Sequence, residues 1–174
     1  MSATYQVNEF VDDQKISRFN IYLLIWSFLT MFADGFDLNS LGFAAPELTR
    51  MWGVERSAMG PVLSANLFGI FIGAPLLGWL GDRYGRRPLI IAGTLMYGTM
   101  TLLMAFSTTM EQMIALRFIA GIGIGGIMPN TISLNSELTP KKFRSTLIVL
   151  MFMGITTGST AVGLVAKYLM PTHG

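Results

Sequence analysis

Two acidic residues, Asp34 and Asp37, stand inside a long apolar stretch of the sequence. Residues 20–33 before them and residues 38–46 after them carry no charge. A carboxylate at the centre of a membrane-spanning helix costs about 2.5–3.5 kcal/mol on insertion scales. Two carboxylates in one span therefore indicate a functional site, and proton uptake or pairing with a cation is the chemistry available to them. A hydrogen-bonded structural pair is the alternative.

A basic residue, Arg117, begins a second unusual pattern, Arg-x-x-x-Gly-x-Gly-x-Gly-Gly. Gly121 and Gly125 fall on the same helical stripe as the arginine, where a neighbouring helix can come close. A glycine-rich nucleotide loop is excluded because no strand precedes the pattern. The remaining alternative is an arginine whose head group extends to the membrane surface.

The composition is that of an integral membrane protein, with 52% hydrophobic residues, 13% charged residues and a mean hydropathy of +0.54. The absence of cysteine excludes disulfides and thiolate metal sites. The net charge of +2 is too small to indicate a nucleic acid partner. No nucleophile–base pair or metal-ligand cluster is visible, so we expect neither an enzyme nor a cofactor or metal.

The hydropathy pattern predicts an all-α membrane protein with five transmembrane helices in a partial N-terminal bundle over residues 19–170. We expect a cytoplasmic tail over residues 1–18 and a periplasmic end over residues 171–174. The predicted helices run over about 19–45, 57–80, 89–106, 112–135 and 146–169.

Basic residues are concentrated in the tail and in the loops 81–88 and 137–145, which lie on one side of the predicted membrane. They are Lys15, Arg18, Arg83, Arg86, Arg87, Lys141, Lys142 and Arg144. The other side has Arg50, Arg56 and Lys167. The positive-inside rule then places the N-terminus in the cytoplasm.

This orientation allows the depths of the charged residues to be compared. At 1.5 Å per residue, Asp34 lies about 22 Å into the first helix, and Asp37 lies one turn further out. By the same rise, Arg117 lies about 8 Å from the outer end of the fourth helix. The depths of Asp37 and Arg117 overlap, which predicts a carboxylate–guanidinium contact across a central cavity.

The segment Gly-Trp-Leu-Gly-Asp-Arg-Tyr-Gly-Arg-Arg-Pro over residues 78–88 resembles the loop signature of the major facilitator superfamily. The matching positions are Gly78, Leu80, Asp82, Arg83, Gly85, Arg86 and Arg87. The resemblance implies a cytoplasmic gating motif between the second and third helices. Charge that only sets the topology is the alternative, and both can hold.

The sequence Asp-Gly-Phe-Asp over residues 34–37 is similar to the first helix of the aromatic acid:proton symporter branch of that superfamily. The resemblance implies proton-coupled import of aromatic carboxylic acids across the bacterial inner membrane, driven by the proton gradient without a cofactor. It assigns proton coupling and substrate charge to Asp34, Asp37 and Arg117. The alternatives are a carrier for a sugar, a dicarboxylate or another organic acid, and a non-transporting remnant.

Further family features concern helix packing and the link between the fourth and fifth helices. Small residues allow close packing, and they are Gly121, Gly123, Gly125, Gly154 and Gly158. Glu137 and Arg144 are expected to pair with the turn that contains Asp82 and Arg83. Because a major facilitator carrier has twelve helices, the five predicted here imply a fragment that lacks its sixth helix and its C-terminal half.

Overall fold

The computed structural model describes residues 17–55, Ser57 and residues 59–169. These residues form five helices and no strand, which confirms the predicted all-α class. The helices are α1 (Arg18–Trp52), α2 (Met59–Tyr84), α3 (Arg86–Met104), α4 (Met110–Leu138) and α5 (Lys141–Leu169). The predicted tail up to residue 16, with Lys15, lies outside the described residues, as do Arg56 and the end at 171–174.

Four of the described helices, α1, α2, α4 and α5, are long and apolar enough to cross a membrane. Helix α3 has 19 residues, which corresponds to about 28 Å and is close to the thickness of a bilayer core. It begins with Arg86, Arg87 and Pro88, which lower its hydropathy. The chain is therefore a multi-pass membrane protein in which α3 has the least apolar sequence.

The end of α1 differs from the sequence prediction, which placed it near Pro46. The helix continues through Pro46 to Trp52, because Leu48 and Trp52 beyond the proline pack on a buried cluster that contains Val62. This packing offsets the lost hydrogen bond and the steric crowding that a proline causes inside a helix. Gly53 adopts a left-handed conformation with φ 62° and donates its N–H to the carbonyl of Thr49. This glycine cap ends the helix, as the αL motif commonly does.

The connections on the opposite side are shorter than the predicted loops. Only Gly85, with φ 95°, separates α2 from α3. Only Thr139 and Pro140 separate α4 from α5, so the predicted loop 137–145 is mostly helical. The gating motif therefore lies on two helix ends and a single glycine rather than in an extended loop.

Helix α4 packs against α2 and α3, and α1 packs against α5. The closest approaches are made at glycines. A Cβ atom on Gly121 would collide with the backbone oxygen of Asn66 in α2, and one on Gly158 would collide with the backbone oxygen of Phe32 in α1. Gly123, Gly125 and Gly154 meet neighbouring backbone in the same way.

The buried apolar side chains of the described residues form small clusters rather than one large core. One buried cluster contains Met31 and Met151, and another contains Leu41 and Val62. Many other large hydrophobic residues are exposed, among them Phe71 in α2. In lipid, exposed apolar side chains are solvated by acyl chains, and close backbone packing supplies much of the attraction between helices.

Candidate functional site

Helices α1 and α4 bring Asp37 and Arg117 into direct contact. The Nη1 atom of Arg117 lies 2.7 Å from Oδ2 of Asp37, and the two side chains are only 6% and 5% exposed. The contact predicted from the depths of the two residues is present. Their roles in transport remain predictions.

Two further polar contacts join α1 to α4 along the same line. The Nδ2 atom of Asn135 donates to Oγ of Ser27 at 2.7 Å, and Nδ2 of Asn20 donates to the carbonyl of Leu138 at 2.7 Å. Along these contacts the residue number rises in α1, from Asn20 to Asp37, and falls in α4, from Leu138 to Arg117, as expected for antiparallel helices. Among the described residues, three contacts therefore set the register of α1 against α4, and the ion pair is the one nearest the C-terminal end of α1.

The sequence analysis did not identify these two polar contacts between α1 and α4. Their side chains are uncharged amides and a hydroxyl, and they lack the insertion cost that drew attention to the aspartates. One signal was present, because Asn20 and Ser27 are seven residues apart and fall on one face of a helix. An amide in a membrane helix that faces another helix is a recurrent source of interhelical hydrogen bonds.

Asp34 lies one helical turn from Asp37 but does not share its partner. Its Oδ1 atom is buried and has no hydrogen-bond partner among the described residues. The ion pair of Asp37 uses Nη1 of Arg117, and Nε of the same arginine is also buried without a partner. The structure therefore places the two carboxylates in different surroundings.

A second charged cluster lies where the C-terminal ends of α2 and α4 meet the N-terminal end of α3. Arg86 places Nε 2.7 Å from Oε1 of Glu137 and Nη2 2.9 Å from Oδ1 of Asp82. Arg83 lies over the ring of Trp79 at 5.7 Å. A Cβ atom on Gly78 would meet no neighbouring atom within 4 Å, so no close helix contact among the described residues requires a glycine there.

The remaining residues of the two sequence motifs lie apart from these contacts. Arg87 is exposed and lines a crevice of about 590 Å³ between α1 and α3. Arg144 does not pair with the α2–α3 turn, as had been expected, but donates Nη2 to the carbonyl of Thr139 at 3.4 Å. The short connection between α4 and α5 explains the difference, because it leaves Arg144 next to the carbonyl of Thr139, the residue that follows α4.

The arrangement has two chemical capabilities. A buried guanidinium paired with one carboxylate can exchange that partner for the carboxylate of a ligand, since both present the same planar oxygen pair. A second carboxylate without a cationic partner can hold a proton. Anion binding and proton binding are thus available within one turn of α1.

Comparisons with known proteins give a consistent result. Residues 27–174 match the family model described as Major Facilitator Superfamily. The chain is 41% identical over 168 residues to the 4-hydroxybenzoate transporter PcaK of Pseudomonas aeruginosa, an alignment that covers 97% of this chain and 38% of the relative. It is 36% identical to the benzoate transport protein of Acinetobacter baylyi, over all of this chain and 38% of the relative.

A gallate transporter of Pseudomonas putida is 35% identical over all of this chain and 39% of its own length. The chain thus spans about two fifths of the length of these relatives.

Proposed function

The chain belongs to the Major Facilitator Superfamily, and we propose that it forms part of a proton-coupled carrier that imports aromatic carboxylic acids across the bacterial inner membrane. The names of the relatives support the substrate class. Hydroxybenzoate, benzoate and gallate share one carboxylate on an aromatic ring. The complete transport cycle belongs to a protein of the relatives' length, in which two halves alternate about a central site.

The buried ion pair between Asp37 and Arg117 is the observation that carries this proposal. A guanidinium held in an apolar bundle binds a planar carboxylate strongly and with defined geometry. We infer that the substrate carboxylate replaces Asp37 on Arg117. Asp37 is then left without its cation, so a proton taken up by the aspartate pair offsets the added negative charge.

We further propose that the N-terminus and the α2–α3 turn face the cytoplasm. The basic residues at that end of the bundle, including Arg83, Arg86 and Arg87, support this orientation. The network of Arg86 with Asp82 and Glu137 ties the ends of three helices together. In the complete carrier, this network would hold the cytoplasmic side closed during part of the cycle.

Uptake measurements test the substrate class. Cells that express the complete reading frame containing this chain are expected to accumulate labelled 4-hydroxybenzoate when an inward proton gradient is imposed. Unlabelled benzoate and gallate should compete, whereas a sugar and an aliphatic dicarboxylate should not. The 174-residue chain alone, reconstituted in liposomes, serves as the control and is expected to give no uptake. No competition by any aromatic acid at saturating concentration would contradict the proposal, and competition by the sugar or the dicarboxylate would favour the alternative.

A further inference from the structure

One face of α2 carries a stripe of large apolar side chains that the other described helices leave uncovered. The stripe consists of Phe68, Ile72, Leu76 and Trp79, and all four residues are exposed. Their spacing of three or four residues places them on one side of the helix. At 1.5 Å per residue, the stripe is about 16 Å long, which is close to the roughly 15 Å of hydrocarbon in one leaflet of a bilayer.

Arg83 lies one helical turn beyond Trp79, at the polar end of the same stripe. Its guanidinium carbon is 5.7 Å from the centre of the Trp79 ring and 5.8 Å from the centre of the Tyr84 ring. These distances allow cation–π attraction to both rings. Trp79 is 57% exposed and Tyr84 is 65% exposed, so two accessible rings flank the cation where the apolar stripe ends.

The charge of Arg83 is not neutralised by a carboxylate among the described residues. The nearby carboxylates of Asp82 and Glu137 both pair with Arg86 instead. A guanidinium offers a planar pair of donors that fits the oxygen atoms of a phosphate group. Arg83 is therefore available to an anion that approaches from outside the bundle.

We propose that this face of α2 binds an anionic phospholipid of the cytoplasmic leaflet. The phosphate group pairs with Arg83, the glycerol region lies against Trp79 and Tyr84, and an acyl chain follows the stripe towards Phe68. The choice of leaflet rests on the proposed orientation of the chain. The binding itself is independent of the proposed substrate.

An amphipathic ligand fits this surface better than a soluble anion, because a soluble anion would use Arg83 and leave the apolar stripe uncovered. Tryptophan and tyrosine are enriched at the level of lipid head groups, and basic residues at the cytoplasmic surface attract anionic lipids. A zwitterionic lipid also has a phosphate group, but its ammonium group would be repelled by Arg86 and Arg87 nearby. Trp79 and Tyr84 are not among the positions that match the loop signature, so the site is additional to the gating motif.

Quenching of tryptophan fluorescence by brominated lipids tests the site in the reconstituted chain. The chain contains three tryptophans, and replacing Trp26 and Trp52 with phenylalanine leaves Trp79 as the reporter. Phosphatidylcholine bilayers contain a small fraction of either brominated phosphatidylglycerol or brominated phosphatidylcholine. The anionic lipid should be preferred at Trp79 by about fivefold, which is the effect expected for one arginine at a membrane surface.

Matched variants assign the preference to one side chain. Arg83→Gln should bring the ratio of the two lipids close to unity, whereas Arg83→Lys keeps the charge and should retain a ratio of about threefold. Arg87→Gln is the control, because it removes the same charge from an exposed arginine at the start of α3 and should leave the ratio at Trp79 unchanged. A second protein that retains only Trp26 should show no effect of Arg83→Gln. Circular dichroism in the same lipid shows whether each variant is folded.

Four results would overturn the proposal. Equal quenching of Trp79 by the two lipids would show that the face does not select an anionic head group. A fivefold preference that persists in folded Arg83→Gln protein would exclude Arg83 as the binding group. An equal loss in Arg87→Gln would assign the preference to the general charge of this end of the bundle. Absence of quenching by either lipid would mean that protein covers the face. None of these measurements requires substrate or transport, so their failure is distinct from failure of the uptake experiment.

Discussion

At the scale of single residues, the ion pair between Asp37 and Arg117 combines a large desolvation penalty with a strong electrostatic attraction. Both side chains are almost completely buried, so each loses its hydration, and only the partner and nearby dipoles compensate. Removing one member of such a pair is therefore more damaging than removing both. The pair also explains why a charge is tolerated at this depth in an apolar bundle.

Arg117→Ala is expected to destabilise the reconstituted chain by about 3 kcal/mol, because it leaves Asp37 buried without a cation. The double variant Asp37→Ala with Arg117→Ala should recover part of this loss. Unfolding monitored by circular dichroism, analysed as a double-mutant cycle, measures the coupling. Arg50→Ala is the control, since Arg50 is an exposed residue in the last turn of α1. Additive effects of the two single substitutions would contradict a stabilising pair.

At the scale of helices, α4 depends on backbone contact with its neighbours. Gly121 packs against the backbone of α2 at Asn66, and Gly123 packs against the backbone of α3 at Gly93. Arg117 lies one turn before Gly121 on the same stripe, so the packing of α4 also sets the position of its guanidinium. Close helix packing and the charged site are thus two consequences of one sequence pattern.

Gly121→Ala is expected to destabilise the chain by about 2 kcal/mol, because the added methyl group would force α2 and α4 apart. Gly98→Ala in α3 is the matched control. A Cβ atom there meets nothing within 4 Å, so the change should be neutral or stabilising by up to about 1 kcal/mol through helix propensity. Thermal unfolding of both variants in the same lipid provides the comparison. Equal effects would show that close contact between α2 and α4 does not contribute to stability.

At the scale of the whole molecule, the asymmetric distribution of basic residues predicts the orientation in the membrane. The α2–α3 turn and the start of α5 lie at one end of the bundle, and the α3–α4 connection lies at the other. If the basic end faces the cytoplasm, the Arg86 network closes the inner side. The inverse orientation would place it on the outer side and would contradict the proposed gating role.

Cysteine labelling tests the orientation directly, because the chain contains no cysteine of its own. Thr108→Cys, in the α3–α4 connection, should react with a membrane-impermeant maleimide in intact spheroplasts. Tyr84→Cys, at the end of α2, should react only after the membrane is permeabilised. Both positions are exposed, so access to the reagent is not limited by packing. The opposite pattern of labelling would reverse the proposed topology.

Much of the fold was predictable from the sequence. The lengths of the apolar segments determine five helices, and residue depth along α1 and α4 was enough to predict contact between Asp37 and Arg117. The end of α1 was less predictable, because Pro46 is a strong stop signal in sequence. The packing of Leu48 and Trp52 that carries the helix past it depends on residues of other helices. The partner of Arg144 was also missed, because it depends on a connection of only two residues.

The chemically unusual residues can be recognised from the amino-acid sequence alone, because a charge in an apolar segment has a known insertion cost. It could not separate Asp34 from Asp37, since the two lie one turn apart on almost the same face of α1. The folded structure shows that Asp37 pairs with the guanidinium of Arg117 and that Asp34 lines a small cavity together with Thr94 and Tyr97. The physical reason is that partners come from other helices, and the position of those helices is set by close backbone packing at glycines, such as Gly121 and Gly123 in α4.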